Sequence, residues 1–163
     1  MSDNPLWAIA GAVLGASASG AFSIWDRISE RKQRKKALLT AARSHAQFIS
    51  KLVRDQRYEA DARKVLDASK LTDWDGGLLI VDIPSHYLDG IRKCAGSAGE
   101  LDAGNAADVI AFCHRAQIFI DSTRVEMKFH EYASLAEKRS HAEETVNNIE
   151  GLLSVGDRLS QAK

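Results

Sequence analysis

The chain has two prolines, two cysteines and no net charge. Each scarcity closes off a class of protein. With proline only at Pro5 and Pro84, few positions are barred from helix, and the many Ala, Glu, Lys, Arg and Leu residues favour it. Cys94 and Cys113 are too few for a disulfide-built scaffold, and no CxxC spacing marks zinc or redox chemistry. Lys+Arg and Asp+Glu both total 22, so global charge makes no case for nucleic acid, and none is expected as a partner.

Catalytic and metal-binding patterns are equally thin. The five histidines are His45, His86, His114, His130 and His141. None belongs to an HExxH or to the paired ExxH arrangement of di-metal bundles. Glu126 and His130 share a helical face but lack further ligands. Cys113 and His114 are adjacent, and helical neighbours do not face each other. Ser85 and His86 have no nucleophile elbow around them. Gly96 and Gly99 do not follow a strand with phosphate-loop spacing. The acidic turn from Asp73 to Gly77 lacks the further oxygen ligands and the terminal Glu of a calcium loop. The expectation is a protein that is not an enzyme and carries no cofactor or metal.

What the chain does have is an uncharged run from Leu6 to Trp25 and, directly after it, Arg27, Arg31, Lys32, Arg34, Lys35 and Lys36. Trp7 and Trp25 stand eighteen residues apart, about 27 Å at helical rise. That is close to the roughly 30 Å of a bilayer's hydrocarbon. Tryptophan favours the headgroup level, because its ring is apolar and its N–H polar. Trp7 and Trp25 therefore read as lipid-headgroup markers at the two ends of a span, with the basic cluster as the headgroup contact on one side. The positive-inside rule puts that cluster in the cytoplasm, for an N-out, single-pass protein of the inner membrane.

The run is only moderately hydrophobic, and its small residues are regularly spaced. Ala8, Ala12, Ala16 and Gly20 form one row at four-residue intervals; Gly11, Gly15, Ser19 and Ser23 form the next. Small faces let helices in lipid approach closely, so Ala8, Gly11, Ala12, Gly15, Ala16, Ser19 and Gly20 are the candidate helix-association residues. Two other readings stay open. One is a cleaved signal peptide, with Ala16, Ser17 and Ala18 as the processing site. Against it stand Asp3, the lack of a preceding Lys or Arg, and the positive charge that follows. The other is a helix buried by its own domain.

The expected organisation is a short extracytoplasmic stretch at 1–5, a transmembrane helix at 6–25, a basic stalk at 26–36 and a helical cytoplasmic domain at 37–163. The fold class is all-α, the transmembrane helix continuing into a small antiparallel bundle. No proline or glycine occurs between Gly20 and Gly76, and Leu38, Leu39, Ala42, His45, Ala46, Ile49, Leu52 and Val53 recur at helical spacing, so the pattern predicts helix from Ser29 to about Ser69. A turn follows at Asp73–Gly77, then an apolar connector at Leu78–Val81. A short helix from Pro84 or Ser85 has Tyr87, Leu88, Ile91, Cys94 and Ala95 on its apolar side. Asp102 or Asn105 caps a long helix from Ala106 to about Lys138, with Val109, Ile110, Phe112, Cys113, Ala116, Phe119, Ile120, Thr123 and Met127 buried. Tyr87, Phe129 and Tyr132 read as core or groove aromatics. A last helix covers Ser140–Ser160. In a cytoplasmic domain both cysteines stay reduced; a reversed topology would let them pair.

Pro84, Tyr87, Gly99, Leu101, Val109, Ile110 and Phe112 carry a loose resemblance to small uncharacterised single-span bacterial membrane proteins. Those have an N-terminal span, a basic stalk, a Pro-then-aromatic segment and a Gly-x-Leu turn before an apolar helix. The resemblance implies a membrane-anchored helical domain and no catalytic residues. The expected function is a non-catalytic adaptor or scaffold that meets the lipid bilayer, self-associates through its span and holds a protein partner whose identity the sequence leaves open. The alternative is a phage or mobile-element effector that perturbs the bilayer on oligomerisation.

Overall fold

The computed structural model describes residues 5–79, 81, 83–123 and 132–161, without the side chains of 5–24 and Ser85. Among the described residues all regular structure is helical and there is no strand. The helices are α1 (Pro5–Asp55), α2 (Tyr58–Ala68), α3 (Asp89–Gly96), α4 (Ala103–Thr123) and α5 (Leu135–Gln161). Short 3-10 turns lie at Ser85–Leu88 and Ala98–Glu100. The all-α expectation holds. The chain divides into two compact units, Met1–Ala37 and Leu38–Lys163. Among the described residues no helix is long and apolar enough to cross a membrane. The expected span at 6–25 lies outside the described side chains except for Trp25.

The second unit is built on one core. Ala42, Ala46, Ile49 and Val53 recur at four- and three-residue spacing along α1 and are buried, the stripe that an amphipathic helix turns inward. They join Val109, Phe112, Ala116, Phe119 and Ile120 of α4 and Val146, Ile149, Leu152, Leu153, Val155 and Leu159 of α5. Each large apolar side chain so buried is worth roughly 1.5–3 kcal/mol. α5 packs against both α4 and α2, and α3 packs on α4. The connector after Gly76 has no regular structure where it is described, but sends Val81 and Ile83 into the same core. Exposed ion pairs trim the helix seams: Arg54 to Asp157 at 2.8 Å, Arg63 to Glu150 at 2.7 Å and Arg158 to Asp108 at 2.9 Å.

Two boundaries differ from the sequence expectation. The helix expected over Ser29–Ser69 breaks at Gln56 and Arg57, where Arg57 takes the left-handed conformation with φ 58°. That costs a non-glycine residue roughly 1–2 kcal/mol. The break lets α2 fold back on α5, buries Ala62 and sets Tyr58 against Phe119 at a ring distance of 6.1 Å. The second concerns the long helix expected to run to Lys138. Ser134 is a non-helical residue that starts α5 instead. Its hydroxyl accepts from the Glu137 backbone N–H at 3.3 Å, while Glu137 Oε2 accepts from the Ser134 N–H and hydroxyl, both at 2.7 Å. This is a capping box, Ser-x-x-Glu. Asp102 caps α4 as expected, accepting from the Asn105 N–H at 3.1 Å.

Ile110, expected in the core, is 51% exposed, and Tyr87 and Tyr132, expected as core or groove aromatics, are 39% and 76% exposed. The α4 stripe that faces α5 is centred on Val109, Phe112 and Ala116, and Ile110 falls beside it. Phe129, Met127, Glu126 and His130 lie outside the described residues.

Gly156 is the tightest crossing. A Cβ there would meet Ser50 Oγ of α1 and lie 3.0 Å from the Phe112 ring of α4. Gly156→Ala is expected to lower stability by about 1–3 kcal/mol, since a buried ring cannot step aside. Gly151→Ala would meet only the Arg115 guanidinium, the free end of a flexible side chain, and is expected to be neutral or stabilising by up to about 1 kcal/mol of helix propensity. Urea melts of the two variants check this; equal losses would contradict it. The capping box gives a pH prediction. The Ser134 hydroxyl, then its N–H, hold the Glu137 carboxyl below its ordinary value of 4.5. A lowered acid stabilises the fold above the unfolded value and loses that contribution as pH falls through the folded one. The Tm deficit of Glu137→Ala should therefore be full at neutral pH and fade below pH 4.5; a deficit constant down to pH 2, on an approximate scale, would contradict it.

Candidate functional site

The candidate site is the basic stretch of α1, and it starts from an unusual exposure. From Trp25 to Ala37 every side chain is exposed except Ser29, which is half-buried. Trp25 is 70% exposed and Ile28 46%. At about 100° per residue, Trp25, Ile28, Lys32 and Lys36 fall along one side of the helix. Arg27, Arg31 and Arg34 follow round from there, and Asp26, Glu30 and Gln33 occupy the remaining arc. Six basic residues and two acidic ones, Asp26 and Glu30, leave a net charge of +4 over 26–36. An apolar edge with lysines beside it is the pattern of a helix at a lipid headgroup boundary.

Within the stretch the charges are left for something else to meet. Arg34 and Glu30 approach at 3.8 Å with both side chains mostly exposed, an arrangement that contributes little in water. Among the described residues Arg27, Arg31, Lys32, Lys35 and Lys36 make no ion pair. The expected headgroup residues from Trp25 onward thus lie together on one exposed helical segment. Trp7 and the association residues Ala8, Gly11, Ala12, Gly15, Ala16, Ser19 and Gly20 lie in α1, whose helical backbone puts residues four apart on one face; their side chains are outside the described residues.

The remaining chemical candidates are dispersed. Among the described residues no three His, Cys, Asp or Glu side chains are grouped to hold a metal ion. His45 packs over the backbone of Gly90. His86 stacks edge-on against Tyr87 at 4.7 Å, and Tyr87 meets Phe48 at 5.7 Å. Phe48 is half exposed, so this aromatic pair sits at the surface, a feature that spacing alone did not reveal. Asp75 of the acidic turn accepts from the Gly77 N–H at 3.0 Å; it closes a turn. A cleft between α2, Leu78, Leu79 and α5 is lined by Ala62, Val65, His141, Ala142 and Thr145 and is closed to a water-sized molecule. Cys94 and Cys113 are free thiols.

No family model matches the chain, and neither the curated proteins nor the solved structures give a match.

The exposed stretch yields a direct test. At about 1 kcal/mol per basic residue near an anionic surface, changing Lys32, Lys35 and Lys36 to Gln in a peptide of residues 25–37 should weaken partition into anionic vesicles roughly 100-fold at low salt. Trp25 fluorescence reads the partition. Neutral vesicles should not distinguish the two peptides, and equal binding to anionic vesicles would contradict the assignment.

Proposed function

We propose that this protein is a membrane-anchored, non-catalytic helical adaptor or scaffold of the inner membrane. Residues 6–25 form a retained single span with the N-terminus outside, and the helical unit from Leu38 onward presents itself to a cytoplasmic protein partner. The observation that carries the reading is the exposed, net-positive segment Trp25–Lys36 directly after an uncharged run of membrane length. A helix that exposes tryptophan, isoleucine and six basic residues together has an apolar edge and a charge excess that an anionic lipid surface satisfies at once. The small-residue rows of the span support self-association, since Gly11 and Gly15 let two backbones meet without intervening side chains.

Alkaline carbonate should leave the protein in the membrane fraction, and a membrane two-hybrid assay should report association of the span that Gly15→Ile abolishes. Release by carbonate would sink the anchor. A monomeric span indifferent to Gly15→Ile would remove the association while leaving the anchor in place. Depolarisation or growth arrest on induced expression would favour a bilayer-perturbing effector instead.

A further inference from the structure

Phe48 and Tyr87 are large side chains left at the surface of the helical unit, and they are neighbours. Phe48 of α1 is 50% exposed, and Tyr87, in the 3-10 turn before α3, is 39% exposed. Their rings meet edge to face at 5.7 Å, and the exposed His86 ring lies 4.7 Å from Tyr87. A single exposed apolar residue is ordinary, but adjoining aromatic rings form the kind of patch that a partner covers. The rings belong to two segments, and the fold fixes their pairing from beneath. Leu88 and Ile91 anchor the turn and α3 in the core. His45, three residues before Phe48, rests on the bare backbone of Gly90. A partner therefore meets two rings already held in place, and little freedom is lost in ordering them.

The charge near the rings selects what can cover them. The helical unit, Leu38–Lys163, holds 16 basic and 19 acidic residues, so it is negative as a whole. The elements that carry the rings have the opposite sign. Within one turn of Phe48 on α1 the one charged residue is Lys51, three positions on and hence a neighbour on the helix surface. Over 84–96 the charged residues are Asp89, Arg92 and Lys93, and the Asp89 carboxylate already accepts from Arg92 Nη1 at 3.1 Å. Lys51 and Lys93 are exposed, and among the described residues neither makes an ion pair. Aromatic faces also attract cations, but these lysines would repel one. Carboxylates suit them.

We propose that the Phe48–Tyr87 edge is the docking surface for an acidic peptide segment of a partner protein. An apolar anchor side chain lies against the two rings, and flanking carboxylates meet Lys51 and Lys93. Burial of the rings supplies affinity, and the lysines favour acidic segments over basic ones. The inference gives a chemistry to the partner of the adaptor reading, but it depends on neither the span nor its orientation.

Fluorescence anisotropy with the full-length protein in a non-ionic detergent tests it. The probe is a fluorescein-labelled peptide with one tryptophan between two runs of four glutamates. Saturable binding is expected, weakened at least about 10-fold by Phe48→Ala and by Lys51→Glu. Replacing the peptide's tryptophan by glycine, or its glutamates by lysine, should weaken it as much. Circular dichroism checks the fold of Phe48→Ala; if that variant does not fold, the exposed Lys51→Glu and the altered peptides decide. No saturable binding, or equal binding of the lysine peptide, would overturn the proposal. So would binding indifferent to the tryptophan or to Lys51→Glu, which would place the glutamates on the basic stretch of α1 instead. An oligomer of the protein alone that Phe48→Ala dissociates would assign the rings to a second copy of the chain and overturn it equally. Binding in detergent is read apart from membrane insertion, so failure here leaves the anchor untouched, and release by carbonate leaves this surface untouched.

Discussion

The helical unit depends on one close approach, where Ser50 of α1 and Phe112 of α4 both rest on the bare backbone of Gly156 in α5. Three helices share that point. Small residues along α1, Ala42, Ala46 and Ser50, keep the stripe narrow enough for it. The larger Ile49 and Val53 fill the adjoining space. The contact also has a cost. The Ser50 hydroxyl is buried without a hydrogen-bond partner, as are Nε and Nη2 of Arg43, seven residues earlier on the same face. Apolar packing across α4 and α5 has to offset both, and the Arg54–Asp157 pair, one guanidinium nitrogen on both carboxylate oxygens, adds little at its exposure.

Much of this fold was legible in the sequence. Spacing located the buried stripes of α1 and α5, Asp102 as a cap, and the turn at Asp73–Gly77, because each has a local cause. Gly76, for example, takes φ +83° in that turn, a conformation glycine adopts without strain. The miss at Ser134 had a readable signal, since Ser134 and Glu137 form a capping box, and a pattern of apolar residues running through it obscured the box. The break at Arg57 had none. Nothing local favours a left-handed arginine, and the burial of Ala62 and the contact of Tyr58 with Phe119 stabilise it from far away in sequence. Ile110 was misplaced for a similar reason. α4 carries apolar residues on most sides, so periodicity could not say which of them faces α5.

The candidate site was legible for a different reason. A basic cluster after an uncharged run is a property of composition and order, and no folding is needed to see it. The structure adds that Trp25 and Ile28 are exposed beside the lysines. Residues 1–37 hold six basic and three acidic residues, leaving +3, so the rest of the neutral chain carries −3. A chain with no net charge thus divides into a positive segment and a negative helical unit.

We propose that the chain crosses the membrane once and holds its helical unit in the cytoplasm. The most direct measurement is a pair of reporter fusions after Lys163, one to alkaline phosphatase and one to a fluorescent protein that matures only in the cytoplasm. Fluorescence in the membrane fraction and no phosphatase activity are the expected result. An active phosphatase would place the helical unit outside the cytoplasm and contradict the charge argument on which the topology rests.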